Sequence, residues 1–119
     1  MEKPKYELED RLVKFAGDVI LFGNELPNDK AGNHLGGQII RASSSAALNF
    51  GESQGAESIK DAVHKLGIVL KELKETRVGL KILDYINYGD ATKRAYLLKE
   101  CGELTAICFT IRRNKRKLF

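Results

Sequence analysis

Residues 59–83 read IKDAVHKLGIVLKELKETRVGLKIL, and the order of their apolar side chains decides the fold. Ile59, Ala62, Leu66, Val69, Leu73, Thr76, Leu80 and Leu83 follow one another at alternating spacings of three and four. Each step returns to the same side of an α-helix, so the residues form one seam of the kind that joins helices in a bundle. Val63, Leu70 and Ile86 widen the stripe, as a helix with two neighbours requires. The helix is expected from about Ser58 to Asn87, a length of about 45 Å.

The same period extends to both sides of this stretch. Upstream, Leu8, Leu12, Phe15, Val19, Phe22 and Leu26 share a stripe on a helix expected from Leu8 to Leu26, with Pro27-Asn28-Asp29 ending it. A second helix is expected from Asn33, as N-cap, to Glu52, burying Leu35, Ile39, Ala42, Ala46 and Phe50. Gly36, Gly37, Ser43, Ser44, Ser45, Ala46 and Ala47 make it a helix of small residues. Glycine costs up to about 1 kcal/mol of helix propensity against alanine, a cost that close approach between helices accounts for. Downstream, Tyr88-Gly89-Asp90 supplies a stop and a cap for a fourth helix over Ala91–Arg113, burying Leu97, Leu98, Cys101, Leu104, Thr105, Cys108 and Ile111. No segment alternates apolar and polar residues as a half-buried strand would. Four amphipathic helices on short turns predict an all-α, antiparallel up-down-up-down four-helix bundle as a single domain over residues 1–119.

Length and composition exclude several classes. With 119 residues, 43% hydrophobic and 30% charged, the chain is long enough to bury a core without disulfides or a structural metal. No run is apolar enough to cross a bilayer, and Met1 to Glu7 lacks the apolar segment of a secretory signal, so a cytoplasmic protein off the membrane is expected. Cys101 and Cys108 are seven apart, roughly 10 Å along a helix, too far for a mutual disulfide, and read as core thiols.

Catalytic patterns are sparse. His34 and His64 supply only one half-motif, Asp61-x-x-His64, where a di-metal centre needs two, so no metal and no cofactor is expected. Ser43, Ser44 and Ser45 lie within a helix rather than on a strained elbow, and no enzyme activity is expected of them. Gly36-Gly37 follows no strand and precedes no Lys-Ser or Lys-Thr, so it does not read as a phosphate loop. Glu72 and Glu75, three apart on a charged helix, read as a solvated or ion-paired face rather than an acid-base pair.

Two features stand apart. Arg41, Ser45, Asn49 and Glu52 occupy one flank of the second helix beside its apolar stripe. They form either a solvated face or a partly buried polar ladder in which Arg41 reaches Glu72 or Glu75 across the bundle. The second feature is charge. The net charge of +4 lies in the last eight residues, where Arg112, Arg113, Lys115, Arg116 and Lys117 account for five of the 20 basic side chains; the remaining 15 face 16 acidic ones. A basic C-terminal tail of this kind either contacts nucleic-acid phosphates or solubilises the chain and complements the negative end of the fourth helix. Val13, Ile20, Tyr96 and Ile107 fall outside the core stripes and suggest a protein-interaction surface.

At the second helix the chain resembles a family. Its signature of Arg-Ala, then Ser, Asn and Glu at steps of four, four and three, is matched by Arg41-Ala42, Ser45, Asn49 and Glu52, and Leu70-Lys71-Glu72-Leu73-Lys74-Glu75-Thr76 is similar to the family's third helix. The family is that of the four-helix-bundle, 23S rRNA intervening-sequence proteins, and the resemblance covers nearly the whole chain. Ile40, Ala47 and Ser53 stand where it often has Arg, Pro and Gly. The resemblance implies a bacterial cytoplasmic protein without enzymatic activity, forming ring-like homo-oligomers, with pentamers the expected number. A more distant similarity to the accessory proteins of diversity-generating retroelements, bundle oligomers that bind reverse transcriptase and nucleic acid, adds RNA or DNA as an implied ligand. The competing expectation is a protein-interaction scaffold with no nucleic-acid ligand.

Overall fold

In the computed structural model, which describes residues 6–119, the chain forms four helices: α1 over Tyr6–Asn24, α2 over Lys30–Gln54, α3 over Ile59–Tyr85 and α4 over Ala91–Arg116. The part of the single-domain expectation that concerns residues 1–5 lies outside the described residues. Three helices begin on side-chain caps. Asp29, Ser58 and Asp90 accept hydrogen bonds from the backbone N–H groups of Gly32, Asp61 and Lys93, each satisfying a donor that the first turn leaves unpaired. Asp90 is the expected cap, and Ser58 stands at the expected start of α3. Asn33 is not the cap of α2: the helix starts a turn earlier at Asp29, whose carboxylate meets the Gly32 N–H at 2.7 Å while Asn33 donates through its side chain to Asn28.

Cross-helix contacts give the direction of each pair. Gly36 lies against the backbone of Gly23, and Gly51 faces Glu9, so α2 returns along α1. Lys65 pairs with Glu52 and Arg41 with Glu75, so α3 returns along α2. Arg94 reaches Asp84 and Arg112 reaches Val63, so α4 returns along α3, and Lys93–Glu25 with Arg11–Glu103 closes α4 onto α1. This is the expected antiparallel up-down-up-down bundle.

The seam read from residues 59–83 is the spine of the core. Ala62, Leu66, Val69, Leu73, Thr76, Leu80 and Leu83 are buried, joined by Leu12, Phe15, Val19 and Phe22 from α1, Ile39, Ala46 and Phe50 from α2, and Leu97, Cys101, Leu104 and Cys108 from α4. Burying a Phe or Leu side chain contributes about 1.5–3 kcal/mol, so Phe15, Phe22 and Phe50 at the interior carry much of the cohesion. Two residues of the α3 stripe depart from expectation. Ile59 and Ile86 are exposed, because they sit at the first residue and just past the last residue of α3, beyond the reach of its neighbours.

The small residues of α2 do what close packing requires. A Cβ on Gly36 would stand 3.3 Å from the Gly23 carbonyl oxygen, and Ile40 lies over Gly23, where a Cβ would meet it at 3.0 Å. The tightest approach is at Gly32, where a Cβ would fall 1.9 Å from the Pro27 carbonyl oxygen. Gly32→Ala is therefore expected to destabilise the protein by roughly 1–3 kcal/mol despite alanine's better helix propensity. Chemical denaturation reads the loss, and an unchanged midpoint would show that the α1–α2 turn yields freely.

The α3–α4 turn shows a residue that the apolar pattern concealed. Arg94 is only 4% exposed. Its guanidinium donates to the Asp84 carboxylate at 2.9 Å, to the Tyr88 and Gly89 carbonyls at 2.6 and 2.9 Å, and to the Asn87 side chain. It thereby satisfies carbonyls that the chain reversal leaves unpaired, while Asn87 and Gly89 take positive φ values of 61° and 83° to make the turn.

Candidate nucleic-acid interface

The basic segment is a helix rather than a tail. α4 runs on to Arg116, three residues past the expected end, so Arg112, Arg113, Lys115 and Arg116 are helical and Lys117 is the C-cap. The extension has a physical reason. Arginine and lysine are good helix formers, and positive charge near a helix C-terminus is favourable by about 0.3–1 kcal/mol per group. The helix end carries only about half a negative charge, however, and five cations far exceed what it can neutralise.

Helical geometry divides the five. Arg112, Arg113, Arg116 and Lys117 line a single open groove of about 340 Å³ together with Phe109, at the spacing of one helix face. Lys115 is not among the lining residues; it falls four and seven residues after Ile111 and Cys108, on the side of α4 that faces the core. Arg113, Arg116 and Lys117 are exposed and Arg112 is half-buried.

Arg112 is held by the bundle itself. Its Nε donates to the Val63 carbonyl at 2.9 Å, and its guanidinium lies over Gly67, where a Cβ would meet it at 3.0 Å. Gly67 thus interrupts the α3 stripe at a cost of up to about 1 kcal/mol and leaves room for the arginine. Carboxylates are placed elsewhere. Arg11, Arg41 and Arg94 each pair with acidic side chains, whereas among the described residues none lies within ion-pair distance of Arg112, Arg113, Lys115, Arg116 or Lys117.

The polar flank of α2 is a ladder between helices, the second of the two readings above. Arg41 donates to Glu72 at 3.4 Å and also to Glu75; Ser45 donates to Glu72 at 3.1 Å; and Asn49 donates to the Ser45 carbonyl and hydroxyl at 2.9 and 3.1 Å. Glu52 accepts from Lys65 at 2.7 Å. Glu72 is 9% exposed, and a carboxylate this enclosed needs the charge and hydroxyl it meets here. One-residue slippage of α2 against α3 would strand it, so the ladder specifies register.

A second charged contact spans α1 and α4. Arg11 donates to Glu100 at 2.7 and 2.9 Å and to Glu103 at 2.6 Å. Hydrogen bonding and charge from Arg11 hold the Glu100 carboxyl below its ordinary value. A depressed folded-state value means stability that is present at neutral pH and lost as acid protonates the folded carboxylate. Arg11→Ala is expected to lower stability at pH 7 and to flatten the loss of stability on acidification below about pH 4. Denaturant midpoints at both pH values test this, and parallel acid losses in the two proteins would contradict it.

The remaining candidates are engaged or apart. Burial pushes the Cys101 and Cys108 thiols up to about 11, as core thiols should be. Ser43 and Ser44 donate to the Ile40 carbonyl. His34 and His64 are exposed, and among the described residues no group of three or more His, Cys, Asp or Glu is placed to hold a metal ion. Val13 and Tyr96 are exposed, Tyr96 under the Lys14 ammonium, while Ile20 and Ile107 are half-buried. No helix among the described residues is long and apolar enough to cross a membrane.

Comparison with known proteins places the fold. The chain is similar to a crystal structure of a protein with unknown function from the S23 ribosomal protein family of Bacteroides thetaiotaomicron VPI-5482, with 25% identity and a TM-score of 0.80 over 88% of this chain and 97% of that one. No curated protein matches the chain. The family model of the 23S rRNA-intervening sequence proteins matches residues 5–109, which include the whole Arg41–Glu75 ladder and stop short of Arg112 to Lys117. The chain belongs to the 23S rRNA-intervening sequence protein family.

Proposed function

We propose that this protein is a cytoplasmic, non-enzymatic, homo-oligomeric bundle that binds nucleic acid, RNA before DNA, through the C-terminal end of α4. One observation carries the reading: Arg112, Arg113, Arg116 and Lys117 share a groove with no carboxylate among its lining residues. Phosphate contacts by such a cluster give salt-dependent, sequence-tolerant affinity, and an assembly of copies would multiply them. The family's name, 23S rRNA-intervening sequence protein, makes an RNA the first ligand to test. A role without catalysis is supported by the engagement of the nucleophilic side chains, the two thiols in the core and Ser43, Ser44 and Ser45 in hydrogen bonds.

A specific observation favours assembly, and also the second reading of a protein-interaction scaffold. Val78, Ile82 and Tyr85, at steps of four and three on α3, are all exposed, Tyr85 by 90%. The test is filter binding of an RNA that contains both a stem and unpaired stretches, alongside light-scattering mass. Substituting the four groove residues with glutamine is a cleaner variant than deleting 112–119, which would strip the last turns from α4. Lost binding with unchanged mass supports the nucleic-acid reading. Equal binding by the variant, or no binding by either protein, overturns it in favour of the scaffold.

A further inference from the structure

Phe109 is 56% exposed, belongs to no part of the core, and lines the groove that Arg112, Arg113, Arg116 and Lys117 form. It lies three, four and seven residues before the three arginines, on the same helix face. Phe109 thus stands at the N-terminal edge of the basic face, where an exposed phenyl ring and four cations line one groove. We infer that the groove takes unpaired nucleotides, a base stacking on the Phe109 ring while the cations that follow it along the groove hold the neighbouring phosphates. The inference rests on the nucleic-acid reading above and narrows its ligand.

Two features favour unpaired strands over a duplex. In a duplex the bases are stacked on one another, so a ring on a helix surface meets only phosphates and base edges; in a loop or single strand the π-faces are free. The groove is open and flanked by planar guanidinium groups as well as the ring, and both surfaces accept bases without reading sequence. Arg112 is fixed by its bond to the Val63 carbonyl, so one wall is anchored to α3 before any ligand arrives. Loss of an aromatic platform of this kind lowers affinity roughly 5- to 150-fold.

The chain contains no tryptophan, so Phe109→Trp places a single indole at the proposed platform. The probes are oligouridine, oligothymidine of equal length, and an RNA duplex of that length. The expected result is saturable quenching of the indole by the single strands and tighter binding of these than of the duplex. Phe109→Leu, which keeps an apolar side chain and removes the ring, should weaken single-strand binding 5- to 150-fold with little change for the duplex. Equal affinity of Phe109→Leu and the parent for single strands, or a duplex bound as tightly, overturns the inference while leaving the nucleic-acid reading standing. Failure of all three probes to bind the parent protein overturns both. An unquenched indole together with a reduced light-scattering mass for Phe109→Leu would instead assign the ring to a contact between copies and overturn the inference.

Discussion

Replacing Arg112, Arg113, Arg116 and Lys117 by glutamine is expected to lower affinity for a single-stranded RNA by a factor of about 600 at 0.1 M salt. On a single strand each neutralised phosphate contributes about 0.7 log unit of affinity per tenfold fall in salt, so four contacts contribute about 2.8 log units between 1 M and 0.1 M. The protein should remain folded, because Arg113, Arg116 and Lys117 are exposed and contribute to stability only through the helix end. Arg112 differs, since its loss removes the hydrogen bond to Val63, worth about 1 kcal/mol. A triple variant that keeps Arg112 and its bond to Val63 separates the effects: affinity should fall about 100-fold, while stability falls by no more than the roughly 1–3 kcal/mol of three helix-end charges. Quantitative filter binding beside circular dichroism reads both.

The second large effect concerns the spine. Leu73→Ala is expected to cost roughly 3–5 kcal/mol, because Leu73 is 0% exposed at the middle of α3 and the cavity left behind cannot collapse against its rigid neighbours. For a chain of this size that amounts to a fall of at least about 10 °C in melting temperature. Ile59→Ala, in the same seam by sequence, is expected to cost less than about 1 kcal/mol, since Ile59 is 40% exposed and loses little buried surface. Thermal melts of the two variants measure the contrast. Equal losses would mean that the first turn of α3 is covered in the working assembly.

The pair Leu73 and Ile59 shows how far a periodic pattern can be taken. Alternating steps of three and four give the phase of a helix and hence which side is buried, and on that basis the core of all four helices was legible. The pattern does not say where a neighbouring helix ends, so it marks Ile59 and Ile86 as buried at the two ends of the α3 stripe. Asp29 and Asn33 both have cap chemistry, and only the fit of Gly32 beneath Pro27 selects Asp29. The apolar stripe of α4 stops at Ile111, so the pattern places the helix end three residues short, although nothing in Arg112 to Arg116 opposes a helix.

The sites divide in the same way. The Arg41, Ser45, Asn49 and Glu52 flank was visible as a row, and its partners Glu72 and Glu75 were visible as candidates, because α2 and α3 are consecutive and their antiparallel pairing follows from a short turn. Arg11 with Glu100 and Glu103 joins the first and last helices, and no local signal gives their rotational phase relative to each other. Arg94 has a signal of its own in the sequence: it stands three, four and seven residues before Leu97, Leu98 and Cys101, a charged residue in a core position, which calls for buried partners. Phe109 was concealed by its exposure, since it belongs to no stripe and gains meaning only beside the arginines that share its face.

The salt dependence of RNA binding tests the account most directly. A plot of log affinity against log salt for the parent protein and for Arg116→Gln should give a slope near −2.8 per protomer for the parent, shallower by about 0.7 in the variant. Binding that is indifferent to salt, or a slope that the substitution leaves unchanged, would contradict the assignment of the α4 face to nucleic acid.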